Sequence, residues 1–161
     1  MTTRDDLRRV ERAIVRISRI GTGRDAARIR SERSGIVISR PGIAILSALR
    51  ASGPMRLTLL ANLTDLEAPL ISREVRQLTA AGYIRRSPDP TDGRATIVEL
   101  TAEGRRAYEA YRAATDDIIA ETFADWSAED LAILVAYLER VASDFARGPR
   151  QPGGRRPRTV S

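Results

Sequence analysis

The 161-residue chain has no cysteine, no histidine and no lysine. The first absence excludes disulfides, thiolate metal sites and a thiol redox switch. The second removes the commonest metal ligand and the commonest general base. Serine–histidine and cysteine–histidine catalysis are therefore impossible within the chain. Aromatic residues make up only 4%, so the core must be aliphatic, and stacking of bases on aromatic platforms is disfavoured. No stretch reaches the roughly 18 consecutive apolar residues of a membrane span. Residues 1–10 alternate charged with apolar side chains and lack the apolar centre of a signal peptide. The expectation is a cytoplasmic protein with no membrane partner, no metal and no cofactor.

What is present is globular in composition, with 42% hydrophobic and 30% charged residues in a length that suits one ordinary domain. All 27 cationic residues are arginine. A GC-rich codon bias produces such a set, and arginine is also the side chain that forks onto guanine and phosphate. The net charge of +6 is unevenly spread. Residues 1–53 hold 12 Arg and 5 acids, and residues 54–101 hold 6 of each. Residues 102–146 hold 4 Arg and 10 acids, and residues 147–161 hold 5 Arg and no acid. A positive front and tail with a negative back suggest a polyanion on one side only.

Leu7, Val10, Ile14 and Ile17 recur at three- and four-residue steps, forming one apolar stripe on a helix. Arg8, Arg9, Arg12, Arg16 and Arg19 cover its other sides. Gly21 and Gly23 interrupt this helix before it resumes to about Arg33. Pro41 opens a second helix with Ile43, Leu46 and Leu49 inward, ended by Gly53-Pro54. Residues 55–57 read as a short strand, and Thr58 as the N-cap of a helix carrying Leu59, Leu60 and Leu63. After Thr64-Asp65 a further helix spans 68–81, with Pro69 in its first turn and Gly82 as its terminator. Ile71, Val75 and Leu78 face inward on it, while Ser72, Arg73 and Arg76 fall on the opposite side.

Two strand-like runs, 83–87 and 95–100, flank the turn-rich segment Pro88-Asp89-Pro90-Thr91-Asp92-Gly93-Arg94. Thr101 caps a long helix with Tyr108, Tyr111, Ile118 and Phe123 on its apolar side. Ser127-Ala128-Glu129-Asp130 reads as a capping box, with Trp126 and Leu131 spaced as its hydrophobic staple. The helix that follows carries Leu131, Leu134, Leu138, Val141 and Phe145 on one face. Gly, Pro and Arg dominate 148–161, where a disordered basic tail is expected.

Residues 55–101 alone have the order of a winged helix-turn-helix, in which the second helix of the turn enters the major groove. Residues 60–84, LANLTDLEAPLISREVRQLTAAGYI, followed by RRSPDPTDGRATIVELTAEG, resemble the core of the multiple antibiotic resistance regulator (MarR) family. The specific part is the wing, with Asp92, Arg94, Val98, Leu100, Thr101 and Gly104 at the family's spacing. The resemblance covers about residues 40–105. It implies a mainly α fold with a small β-hairpin wing. A winged helix-turn-helix lobe at 40–101 would be flanked by an N-terminal dimerisation helix in 1–34 and C-terminal dimerisation helices in 102–147.

The resemblance further implies a homodimeric transcription regulator on a pseudo-palindromic operator in double-stranded DNA. The expected action is repression, released by a small aromatic or phenolic effector. On this reading the helix 68–81 presents Ala68, Pro69, Ser72, Arg73 and Arg76 to the major groove. The wing 83–100 carries Arg94 to the minor groove, where a narrow groove concentrates negative potential. Asp92 is expected to pair with an arginine and orient the wing. Arg85 and Arg86 are adjacent on a strand, so only one of them can face the duplex. Tyr108 and Tyr111, with Arg16 or Arg50 for a carboxylate, are the expected ligand pocket. Dimer core is the competing assignment for the two tyrosines and Trp126.

The sequence departs from the family pattern at four positions. Glu67 stands where a small hydroxyl N-cap is common, Ala68 and Leu70 where polar base-reading residues are frequent, and Gly93 where a second arginine is common. Readout then leans on thymine methyls and DNA shape. The charge-neutral stretch 54–101 and Glu67 support an alternative, a winged-helix protein-interaction module that has lost operator binding. An enzyme would have only the acid pairs Asp116-Asp117 and Glu129-Asp130 to work with, and capping explains the second. No catalytic residue is assigned.

Overall fold

The structure, a computed structural model, describes residues 3–148. Residues up to Ile119 form one compact unit and those from Ala120 a second. The expected basic tail lies outside the described residues, apart from Gly148.

Two arginine-rich helices open the first unit. α1 (Arg4–Thr22) starts at Thr3, whose hydroxyl accepts from the Asp6 amide at 3.2 Å. Asp6 in turn accepts from the Thr3 amide at 3.0 Å, completing a capping box that the periodicity alone does not reveal. Gly23 ends α1 and begins α2 (Arg24–Ser34), so the interruption falls at Gly23, while Gly21 stays inside α1. Neither helix buries a residue.

The core lies among α3 (Arg40–Ser52), α4 (Leu57–Thr64), α5 (Ala68–Ala80) and a three-stranded antiparallel sheet. β1 (Met55–Arg56), β2 (Ile84–Pro88) and β3 (Thr96–Leu100) are arranged in the order β1-β3-β2. The hairpin register runs from Ile84 opposite Leu100 to Pro88 opposite Thr96. Ile45, Leu46, Leu49, Leu60, Ile71, Val75, Ile84 and Val98 are the largest wholly buried side chains. Each such side chain contributes roughly 1.5–3 kcal/mol relative to leaving it exposed.

Three local expectations change. In α3 the inward set is Gly42, Ile45, Leu46 and Leu49, and Ile43 is only half-buried. Ser39 caps this helix and Pro41 lies in its first turn, so the helix phase brings the i, i+3, i+4, i+7 positions counted from Gly42 onto the core. α4 begins at Leu57, with Arg56 as an N-cap whose side chain makes no capping bond, and Thr58 lies inside the first turn. The cause is β1: Arg56 is still paired with Ile97 in the sheet, and the chain turns straight from strand into helix. Finally, only Leu60 of α4 is buried, while Leu59 and Leu63 are exposed.

α5 ends as Gly82 predicts. The Tyr83 amide donates to the Leu78 carbonyl at 2.9 Å and the Gly82 amide to the Thr79 carbonyl at 3.0 Å, a Schellman closure with Gly82 at φ 77°. α6 (Ala102–Thr122) is then clamped to the start of the hairpin. The Thr101 amide and hydroxyl both donate to the Tyr83 carbonyl at 3.0 Å, and the Gly104 amide donates to the Thr101 oxygen at 3.0 Å. Gly104 is buried in this joint.

In the second unit, α7 (Ala128–Arg147) is capped by the Ser127 hydroxyl, which accepts from the Asp130 amide at 3.0 Å. Trp126 packs edge-to-face on Phe123 with centroids 5.3 Å apart. No residue of α7 is buried. Among the described residues no helix is long and apolar enough to cross a membrane.

Candidate nucleic-acid interface

α4 and α5 are joined by a tight turn in which Asp65, at φ 52°, ends α4. Burial of Ile71, Val75 and Leu78 fixes the rotation of α5 about its axis. That rotation leaves Ala68, Pro69, Ser72, Arg73 and Arg76 together on the exposed side. Arg76 has no ion-pair partner among the described residues. Arg73 has one: its Nη2 lies 3.3 Å from Oε1 of the neighbouring Glu74. Glu74 is buried on the core side of α5, at 3% exposure. It stands three residues after Ile71 and four before Leu78, on the inward stripe itself, where a charged residue is not expected from periodicity. Glu67 is the N-cap of α5 without a side-chain cap bond.

The wing loop between β2 and β3 is built from side-chain to backbone bonds. Asp92 Oδ1 accepts from the Arg94 amide at 3.1 Å, and the Asp92 carbonyl accepts from the Ala95 amide at 2.8 Å. Asp92 thus shapes the turn at Arg94 through the backbone, and the carboxylate paired with an arginine is Asp89. Arg56 Nε donates to Asp89 Oδ2 at 2.6 Å. Thr91 donates to Asp89 Oδ1 through its amide at 2.8 Å and its hydroxyl at 2.7 Å. The Asp-Pro-Thr spelling of this turn carries that signal, since Asp bonds its own backbone two residues on. The wing is tied by this pair to β1, and so to the helical core.

The two bonds from Thr91, with Arg56 behind them, hold the Asp89 carboxyl well below the usual carboxylate range. A lowered value in the folded chain means that the tie is fully present above about pH 4, the unfolded Asp range. It is lost only as pH falls through the lowered value. Arg85 is committed to Glu99 across the hairpin at 2.7 Å. Arg86 and Arg94 have no ion-pair partner among the described residues, and Arg94 stands exposed at the wing tip.

The expected pocket residues do not come together. Tyr111 lines a cleft of about 240 Å³ with Gly23, Arg30, Ile36, Ile38 and Arg40. Tyr108 instead donates its hydroxyl to Ser47 Oγ at 3.1 Å and packs against the core. Arg50 lies 3.8 Å from Glu109. Arg16 is exposed on α1. The cations at the cleft are Arg30 and Arg40, which the stripe reading of the first helices had no means to place there.

A helix-turn-helix with an outward arginine face, followed by a hairpin tied down at its base, invites comparison with known regulators. The sequence profile of the MarR family matches residues 38–96. A probable transcriptional regulator from Pseudomonas aeruginosa, solved by crystallography, is 32% identical over 71% of this chain and 86% of that one, with a TM-score of 0.59. The chain belongs to the MarR family. The uncharacterized HTH-type transcriptional regulator YdgJ of Bacillus subtilis is 26% identical over 108 residues, which are 67% of this chain and 66% of that protein. A MarR family protein from Bacillus stearothermophilus shares the fold at a TM-score of 0.77, covering 91% of this chain and 99% of that one at 16% identity. This MarR-family chain is a winged-helix transcription regulator, mainly α with a small antiparallel sheet.

Proposed function

We propose that this MarR-family regulator is a homodimeric, sequence-specific repressor whose α5 reads the major groove while Arg94 enters the minor groove beside it. The observation that carries this is the shared lobe: the outward Arg73 and Arg76 of α5 and the exposed Arg94 belong to one tied winged helix. Ser72 adds a phosphate donor, and Ala68 and Pro69 offer apolar contact to thymine methyls. Residues 40–101 form the DNA-binding lobe in this reading, 1–34 and 102–147 the dimerisation segments, and 148–161 a basic tail that adds nonspecific phosphate contacts.

Dimerisation is supported by surface that one chain leaves uncovered. Leu7, Val10, Ile17 and Ile20 on α1 are exposed, Ile17 at 65%. Leu138 is 52% and Phe145 71% exposed on α7. Helices in proteins draw most of their stability from packing an apolar face, and exposed patches of this kind mark interfaces. The cleft with Arg30, Arg40 and Tyr111 suits a small anionic aromatic or phenolic effector, whose binding releases the DNA. The competing protein-contact module draws on the charge-neutral stretch 54–101 and on Glu67, at the N-terminus of α5 without a cap bond.

Titration of the chain with DNA from its own upstream region tests the proposal against that competitor. The expected site is two-fold, with half-site centres roughly 10 or 20 bp apart. If a dimer neutralises on the order of six phosphates, log affinity falls against log salt with a slope near −5. Equal affinity at about 50 and 200 mM salt contradicts the proposal, as does the absence of a protected site.

A further inference from the structure

Glu74 and Asp89 are the buried carboxylates among the described residues. Asp89 ties the wing. Glu74 sits in the apolar stripe of α5, where a leucine would fill the space without the cost of burying a charge. A buried carboxylate is tolerated when its oxygens are partnered, and here both are. The Ser39 hydroxyl donates to Oε2, and Arg73 Nη2 lies against Oε1. Ser39 is the N-cap of α3 and accepts from the Gly42 amide at 3.0 Å, so Glu74 lies against the positive end of that helix. Gly42 leaves room for the cap itself: a β-carbon there would meet Ile38 Cγ2 at 2.8 Å and Ser39 Oγ at 3.1 Å, while standing in ordinary contact with Oε2 at 3.5 Å.

The carboxylate thus has one oxygen anchored to α3 and the other on the guanidinium of an outward-facing arginine. A free arginine loses rotamer entropy when DNA fixes it. One already held at the surface loses less. We propose that Glu74 is a positioning residue for DNA recognition, anchored through Ser39 to the N-terminus of α3 and holding the Arg73 guanidinium on the outward face of α5. This rests on the reading of α5 as the recognition helix. Glu74 touches no DNA; it acts through Arg73 alone. A purely structural carboxylate would instead affect folding and leave Arg73 to act independently.

The test is a double-variant cycle. Wild type, Arg73→Ala, Glu74→Leu and the double variant are titrated against the upstream duplex that the wild type protects, and each is melted alone. Arg73→Ala is expected to weaken binding roughly tenfold, as loss of a good arginine contact does. Glu74→Leu should weaken it by about threefold or more, at an equal or higher melting temperature. The double variant should bind no more weakly than Arg73→Ala alone, which is non-additivity between coupled neighbours. Glu74→Gln, which keeps an acceptor for Arg73, should restore most of the loss. Losses that simply multiply, or wild-type affinity in Glu74→Leu, overturn the proposal. If Glu74→Leu does not fold, Ser39→Ala replaces it in the same cycle with the same criterion. Wild-type affinity in Arg73→Ala would sink the recognition-helix reading itself, an outcome distinct from additivity.

Discussion

Gly104→Ala is expected to lower the melting temperature by roughly 6–12 °C and to abolish DNA binding at ordinary protein concentration. One methyl group does this because of where α6 begins. A β-carbon at Gly104 would stand 2.8 Å from the Tyr83 carbonyl carbon and 2.9 Å from Leu100 Cδ1, and closer still to the Tyr83 oxygen. The obstacle is backbone that cannot step aside. The Tyr83 amide closes α5, its carbonyl holds Thr101, and β2 starts at the next residue. Overpacking of this kind costs about 1–3 kcal/mol or more. For a chain of this length, about 3 kcal/mol corresponds to that shift in melting temperature. The same joint aims the wing, so binding fails with it. Gly93→Ala is the control, since nothing lies within 4 Å of its position, and it should melt like the wild type. Thermal unfolding followed by circular dichroism checks both, and an unaltered melt for Gly104→Ala contradicts the packing described.

Leu138→Asp should break the homodimer and weaken specific DNA binding by roughly 10²–10⁴-fold, the advantage that linking two half-site contacts confers. Leu138 is half-exposed in a single chain, on a helix that buries nothing of its own. A charge there costs little in a monomer and much in an interface, where it would be buried without a partner. Sedimentation should give a species twice the 17.7 kDa chain for the wild type and the single chain for the variant. A wild type that sediments only at 17.7 kDa contradicts the dimer. A variant that stays dimeric and binds normally places the interface elsewhere.

The elements were legible wherever one local rule decided them. Glycine and proline marked the break at Gly23, the start of α3 and the end of α5. Alternation and turn residues marked the hairpin, and Thr101 and Ser127 marked helix starts. Legibility failed where the partner is distant in sequence. Thr58 reads as a cap because nothing local shows that the strand stops at Arg56, where its pairing with Ile97 ends, and not at Leu57. Asp89 and Asp92 look alike in the sequence, and which of them takes an arginine depends on Arg56, 33 residues away. Glu74 falls on the apolar stripe, yet its inward orientation makes sense only once Ser39, 35 residues earlier, is found beneath it. The cleft failed for the same reason, because Arg30 and Arg40 meet Tyr111 through tertiary packing that no helical period encodes.

The most direct test of the central claim is a binding titration of Arg94→Ala and Arg73→Ala against the upstream site, varied one base pair at a time. Neither residue lies in the core, so both variants should remain folded dimers. Arg94→Ala should weaken binding most on sites with narrow A·T flanks, where a minor-groove cation is worth most. Arg73→Ala should relax discrimination at one base pair in each half-site by about 1–3 kcal/mol. Wild-type affinity and selectivity in both variants would contradict recognition by α5 and the wing, and would favour the protein-contact module.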